Sequence, residues 1–313
     1  LICFCAILFS YRVYSAHILQ RVFGENTEQQ IGHSFQYALQ RDYETLFLGN
    51  SRFYRGIIPT KYTVSTSYNF AGDNESFNHC YYKMKYLEQH HKQYKYLIMS
   101  VDYSIFGTFN EDRNYIYKKY FGEEYLKDYS VGLYMRRFNT QFNRWLTNYF
   151  SRSWQPILSY YMHRERYKQV SYVSPYGNYV SLPEGNADEN DFINRASSEL
   201  PLLIEKKYFD LIFDYCSQHQ IQLFLVMMPM RDKELKSYEP KKMRLIEKYW
   251  KDKVIAYHAG YLDYARDPRF TMNDYLDFNH LNAKGAEKFT ALLSSDMAKL
   301  IKGQTLSDTT TLR

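Results

Sequence analysis

Thr45-Leu46-Phe47-Leu48-Gly49-Asn50-Ser51-Arg52 is the stretch on which the fold turns. Its first four residues form a short apolar run closed by a glycine, the pattern of a buried strand rather than of a helix. Ser51 follows at once. A hydroxyl just past the carboxyl end of a buried strand stands where open α/β sheets present their reactive groups.

Outward from this strand, apolar and helical stretches alternate. Val64 to Phe70 reads as a second strand, bounded by Ala71-Gly72-Asp73-Asn74. From Glu75 a helical pattern places Phe77, Cys80, Tyr81, Met84 and Leu87 on one face, with Asp73 or Asn74 as the expected cap. Tyr96 to Val101 reads as strand three, Ile221 to Met228 as strand four and Val254 to Tyr257 as a fifth. A last helix is expected over Ala283 to Ile301, capped by Asn282, with Ala286, Phe289, Leu293, Met297 and Leu300 at helical spacing. Strands alternating with helices imply an α/β fold: a three-layer α/β/α sandwich around a short parallel sheet.

About a hundred residues, 107–218, interrupt this alternation and read as a mainly helical insertion. An amphipathic helix is expected over Ser130 to Phe150, loop over Tyr172 to Asn190, and a further helix over Asp191 to Cys216. The core domain is accordingly assigned to residues 41–302, followed by a tail at 303–313. Residues 1–40 read as an anchor and stalk. Leu1 to Phe9 is almost wholly apolar, too short to cross a bilayer by itself, and is read as the tail of an N-terminal membrane anchor.

Composition narrows the function. The 313 residues carry a net charge of +6 with the basic residues dispersed, which argues against a nucleic-acid partner. No zinc-like Cys/His spacing and no phosphate-cradling glycine loop occurs in the sequence, so no metal or organic cofactor is expected. Four cysteines, two of them in the apolar start, indicate no disulfide framework. Aromatic residues make up 19%, with 34 tyrosines, which suits half-buried surfaces and sugar-stacking sites.

The second informative stretch is Asp277-Phe278-Asn279-His280-Leu281-Asn282, just before the last helix. Gly49-Asn50-Ser51 and Asp277-x-x-His280 together resemble the first and last blocks of the SGNH (GDSL-like) hydrolase superfamily, with Asn50 in place of the usual Asp. Gly72, in Tyr68-Asn69-Phe70-Ala71-Gly72, resembles the second block. The pattern is similar to the membrane-anchored branch that includes lipoteichoic acid D-alanylation and alginate O-acetylation proteins. The resemblance covers about residues 43–106 and 220–301. It implies a Ser51-His280-Asp277 triad and an oxyanion hole built from Ser51, Gly72 and another donor. It also implies an extracytoplasmic domain that modifies a cell-surface polysaccharide beside a membrane-bound O-acyltransferase. One block departs: where the family has Gly-x-Asn-Asp after strand three, this chain has Ser100-Val101-Asp102-Tyr103-Ser104. The missing Asn would leave the oxyanion donor to another residue, such as Asn74, or to a partner, or leave the site weak or inactive.

Each residue also has a plainer reading. Ser51 suits a helix cap, Asp277 a turn and Gly72 a relaxed turn, while His280 alone suits a satisfied loop histidine. Arg52 and Arg55 follow the serine and are candidates for contacting an anionic polymer or lipid, against a role as solvated surface charge. His90 and His91 read as surface residues. Three functions compete on this reading: a membrane-anchored acyltransferase or esterase, a glycan-binding or assembly protein that kept the fold and lost the chemistry, and a soluble lipase-like esterase, which the anchor disfavours.

Overall fold

The computed structural model describes residues 10, 27–106, 114–122, 124–126, 173–180 and 203–303. In chain order the elements are α1 (Thr27–Gln40), β1 (Thr45–Leu48), α2 (Ser51–Gly56), β2 (Ser67–Asn69), α3 (Phe77–Gln89), β3 (Tyr96–Ser100) and α4 (Asn114–Phe121). After these come β4 (Val173–Ser174), β5 (Gly177–Asn178), α5 (Leu203–Gln218), β6 (Gln222–Met227), α6 (Asp232–Ser237), α7 (Pro240–Ala256), β7 (Gly260–Asp263) and α8 (Ala283–Ile301). The chain forms two compact units. The smaller comprises residues 1–33 and 114–172, of which 10, 27–33, 114–122 and 124–126 are described; the larger comprises 34–113 and 173–313.

The larger unit is the expected α/β fold. Its sheet has seven strands in the order β4-β5-β2-β1-β3-β6-β7. All pairings are parallel except that of β4 with β5. The β1 residues are buried throughout and β6 is buried beyond its first residue, as strands covered on both faces must be. Helices α3, α5 and α7 share an aromatic cluster in which Phe77, Phe106 and Phe209 meet edge-on or tilted and Trp250 closes on Phe106. Helix α8 packs instead on α2. The sheet between these groups gives a three-layer-like arrangement. Much of the tyrosine wealth is core material: Tyr68, Tyr208, Tyr261 and Tyr264 are fully buried.

Several sequence expectations change. Strand two is shorter than Val64 to Phe70: the Thr66 carbonyl takes the N–H groups of both Glu44 and Thr45, and the regular ladder starts at Ser67. Helix α3 starts later than Glu75: Ser76 is its cap, not Asp73 or Asn74, and Asn74 occupies a turn with φ of 56°. Val254 to Tyr257 is not a strand. Ile246, Trp250 and Val254 are buried at four-residue intervals, so this run is the last turn of α7. The edge strand β7 begins only after His258 reverses the chain with φ of 51°. The stretch expected as loop from Tyr172 supplies a small hairpin to the opposite edge of the sheet. It reaches β2 because Gly177, with φ of 111°, brings no Cβ against the Asn69 backbone, where one would stand 2.4 Å away. The helix expected over Ser130–Phe150, most of the loop region and residues 191–202 lie outside the described residues.

Among the described residues no helix is long and apolar enough to cross a membrane. The apolar start at residues 1–9 lies outside them.

Candidate active site

The first side chain of the site is set by the end of β1. Gly49 adopts φ of 152°, and a Cβ there would lie 1.9 Å from the Ser100 Oγ, so only glycine lets β1 turn this close to β3. Asn50 then caps α2: its Oδ1 accepts from the Arg52 N–H at 3.0 Å. The cap being Asn50, the hydroxyl of Ser51 is left for another partner. Ser51 is half-buried at the first position of α2, where its own N–H has no intrahelical acceptor.

That partner arrives from the far end of the sequence. Residues 275 to 281 form a narrow hairpin in which Tyr275 bridges Leu281 and the Leu276 N–H donates to the His280 carbonyl at 3.0 Å. At its tip, Asp277 Oδ1 accepts from the N–H groups of Asn279 and His280 at 3.0 and 2.8 Å. The hairpin is pinned to α8 by Asn282, whose side chain caps the helix at the Gly285 N–H and donates to the Asn273 carbonyl. Gly285 has to be glycine here, since a Cβ would fall 2.1 Å from the Asp274 carbonyl oxygen.

The result is a relay. His280 Nε2 lies 2.8 Å from Ser51 Oγ, and His280 Nδ1 lies 2.8 Å from Asp277 Oδ2. Burial depresses the His280 pKa below its usual 6.5, and the charges of Arg55 and Arg52 lower it further, against the opposing pull of Asp277. The imidazole is therefore neutral at pH 7, the form that can accept a proton. Burial alone would raise the Asp277 pKa. The bond from His280 and the two backbone donors outweigh it and hold the carboxyl at about 2, so Asp277 stays ionised and fixes the tautomer that leaves Nε2 free to take the serine proton.

The two arginines have different fates. Arg52 is neither a surface charge nor available to a ligand: it is 4% exposed. Its Nε lies 3.4 Å from Asp102 and its Nη2 bonds Glu234. Asp102, two residues past the end of β3, is buried. Oδ2 accepts from Asn50 Nδ2 at 2.6 Å, while Oδ1 accepts from the N–H groups of Ser104 and Ile105. Arg55, one turn after Ser51, stands at the partly exposed rim and holds Asp73 through both Nε and Nη2. This pair ties α2 to the turn that carries Gly72 and Asn74.

Of the expected oxyanion donors, the Ser51 N–H is open. The Gly72 N–H already donates to the Gly49 carbonyl at 3.2 Å. Asn74 lies on the same turn and is exposed. His90 and His91 are exposed, as expected. No group of metal-ligating side chains occurs among the described residues.

Sequence reasoning missed Asp102 and Glu234, which bury Arg52, and Arg231, whose Nη1 donates to the Asp277 carbonyl at 3.2 Å. Asp102 was visible only as a missing Asn. Arg231 and Glu234 lie in an ordinary charged helix start and carried no local signal. Neither a scan against protein-family models nor a search of curated proteins returned a match.

Proposed function

We propose that this chain is a serine acyl-transfer enzyme of the SGNH type, an esterase or O-acyltransferase. The observation that carries the reading is the unbroken relay Asp277–His280–Ser51, in which each bond is 2.8 Å long. Ser51 Oγ would attack an ester carbonyl carbon while His280 Nε2 takes the hydroxyl proton. Charge developing on the carbonyl oxygen would fall to the Ser51 N–H. The carbon–oxygen bond of the leaving alcohol then breaks as His280 returns the proton to it, leaving the acyl group on Ser51. In the second half, water or a sugar hydroxyl gives its proton to His280 and attacks the acyl carbon; the bond from that carbon to Ser51 Oγ breaks as His280 returns the proton to the serine. The substrate class, a cell-surface polysaccharide, the extracytoplasmic setting beside a membrane-bound O-acyltransferase, and the membrane anchor at Leu1 to Phe9 are proposed with it, on the resemblance of the motifs.

One observation favours a second reading, a glycan-binding or assembly protein without turnover. Asp102 stands where the resemblance expects the Asn donor, its carboxylate is taken up by Asn50, Arg52 and two backbone N–H groups, and the Gly72 N–H is engaged. Loss of one such donor typically slows acyl transfer by about two to three orders of magnitude.

Intact-mass measurement after treatment with a small fluorophosphonate separates the two. The acyl-transfer reading expects one adduct on wild type, none on Ser51→Ala and slowed labelling of His280→Ala. A folded wild type that takes no adduct would rule it out in favour of the binding protein.

A further inference from the structure

Four charged side chains are buried behind the relay: Arg52 and Arg231 are 4% and 5% exposed, Asp102 and Glu234 1% and 0%. Their formal charges sum to zero. All lie outside the triad, and burying such groups carries a desolvation penalty that an apolar packing would avoid. Their placement gives a reason for their presence. Glu234, on α6, takes the guanidinium of Arg52, the residue next to Ser51, and also accepts from the Tyr238 hydroxyl at 3.3 Å. Three residues earlier, Arg231 caps the same helix and donates from Nη1 to the carbonyl of Asp277 at 3.2 Å. Asp102 closes the ring by joining Asn50 and Arg52, the two neighbours of the serine.

We propose that Arg231 and Glu234 are positioning residues: the four-residue segment they delimit grips the nucleophile through Arg52 and the base loop through the Asp277 carbonyl. This inference rests on the acyl-transfer reading. Ser51 and His280 come from segments 229 residues apart, and nothing in either local turn fixes the distance between them. Packing of α8 on α2 brings the two segments together, and the clamp adds a tie to each of them from one short helix. Arg52 forks between Asp102 and Glu234, which fixes direction as well as distance, and Arg231 reaches the Asp277 carbonyl through Nη1.

The test uses the full chain with Glu234→Gln, Arg231→Lys and the double variant Arg52→Met with Glu234→Leu. The double variant replaces the buried pair by apolar side chains and keeps the protein folded should Glu234→Gln fail to fold. Melting temperature, the rate of fluorophosphonate labelling and the downfield proton resonance of the His280 Nδ1–H are measured together. A displacement of about an ångström predicts labelling on the order of 100-fold slower in the folded variants. The resonance should be sharp in wild type and broadened or lost in them. Wild-type labelling and an unchanged resonance in the folded variants would overturn the clamp. A wild type that takes no label counts against the serine reading alone, because the resonance needs no turnover and still decides the clamp.

Discussion

At the scale of single residues, the site is tuned by charges that never touch the reacting atoms. Arg55 lowers the pKa of His280 from the rim. Labelling or turnover should fall as pH drops through the His280 pKa, below 6.5, because the protonated imidazole cannot accept the serine proton. Replacing Arg55 by Gln removes one of the causes that depress it. The midpoint of the acid limb should therefore move up toward 6.5; a midpoint that stays or moves down would show that Arg55 does not act on His280. Ser51, Asp277 and His280 were legible in the sequence because each stands in a short local pattern at a strand end or before a helix. The fate of Arg52 was not. An arginine next to a reactive serine reads as exposed by default, and only the tertiary fold brings Asp102 and Glu234, respectively 50 and 182 residues beyond it, to bury it.

At the scale of elements, α8 was read in full, with its bounds and its cap, because a five-residue apolar stripe and a capping Asn agree. Strand β7 was missed because a four-residue apolar run, Val254 to Tyr257, carries no period of its own and belongs to the end of α7. The cap does two jobs here, since Asn282 ends the hairpin that displays Asp277 and His280. Asn282→Ala should cost about 1 kcal/mol in urea unfolding, the ordinary worth of a cap. Asn282→Asp keeps the acceptor for the Gly285 N–H but sets a buried carboxylate oxygen against the Asn273 carbonyl, so it should not recover the loss. Equal stability of the alanine variant and wild type would mean that the cap contributes nothing.

At the scale of the whole molecule, stability should carry a pH signature from a group far from the relay. Glu205, on α5, is fully buried, and its Oε2 accepts from the Phe77 N–H at the start of α3 at 2.8 Å. Burial raises its pKa from 4.5 to about 8, against the opposing effect of its hydrogen bonds. A raised folded-state pKa means that the contribution to stability is complete below 4.5 and is lost as pH rises through 8. Wild type should lose melting temperature across that window relative to Glu205→Gln, which keeps a hydrogen-bond acceptor and cannot ionise. Parallel curves for the two proteins would refute this.

The pairing of Ser51 with a histidine 229 residues later has a consequence for the protein's birth. A ribosome delivers β1 and its serine early, but the imidazole only when the last helix is about to follow. Until that helix docks, the hydroxyl has no base. A nascent chain, or one cut short before Asp277, can fold much of the sheet and yet should remain inert toward fluorophosphonate. On the acyl-transfer reading, the serine would gain its base only once the segment carrying Asp277 and His280 has been made and docked.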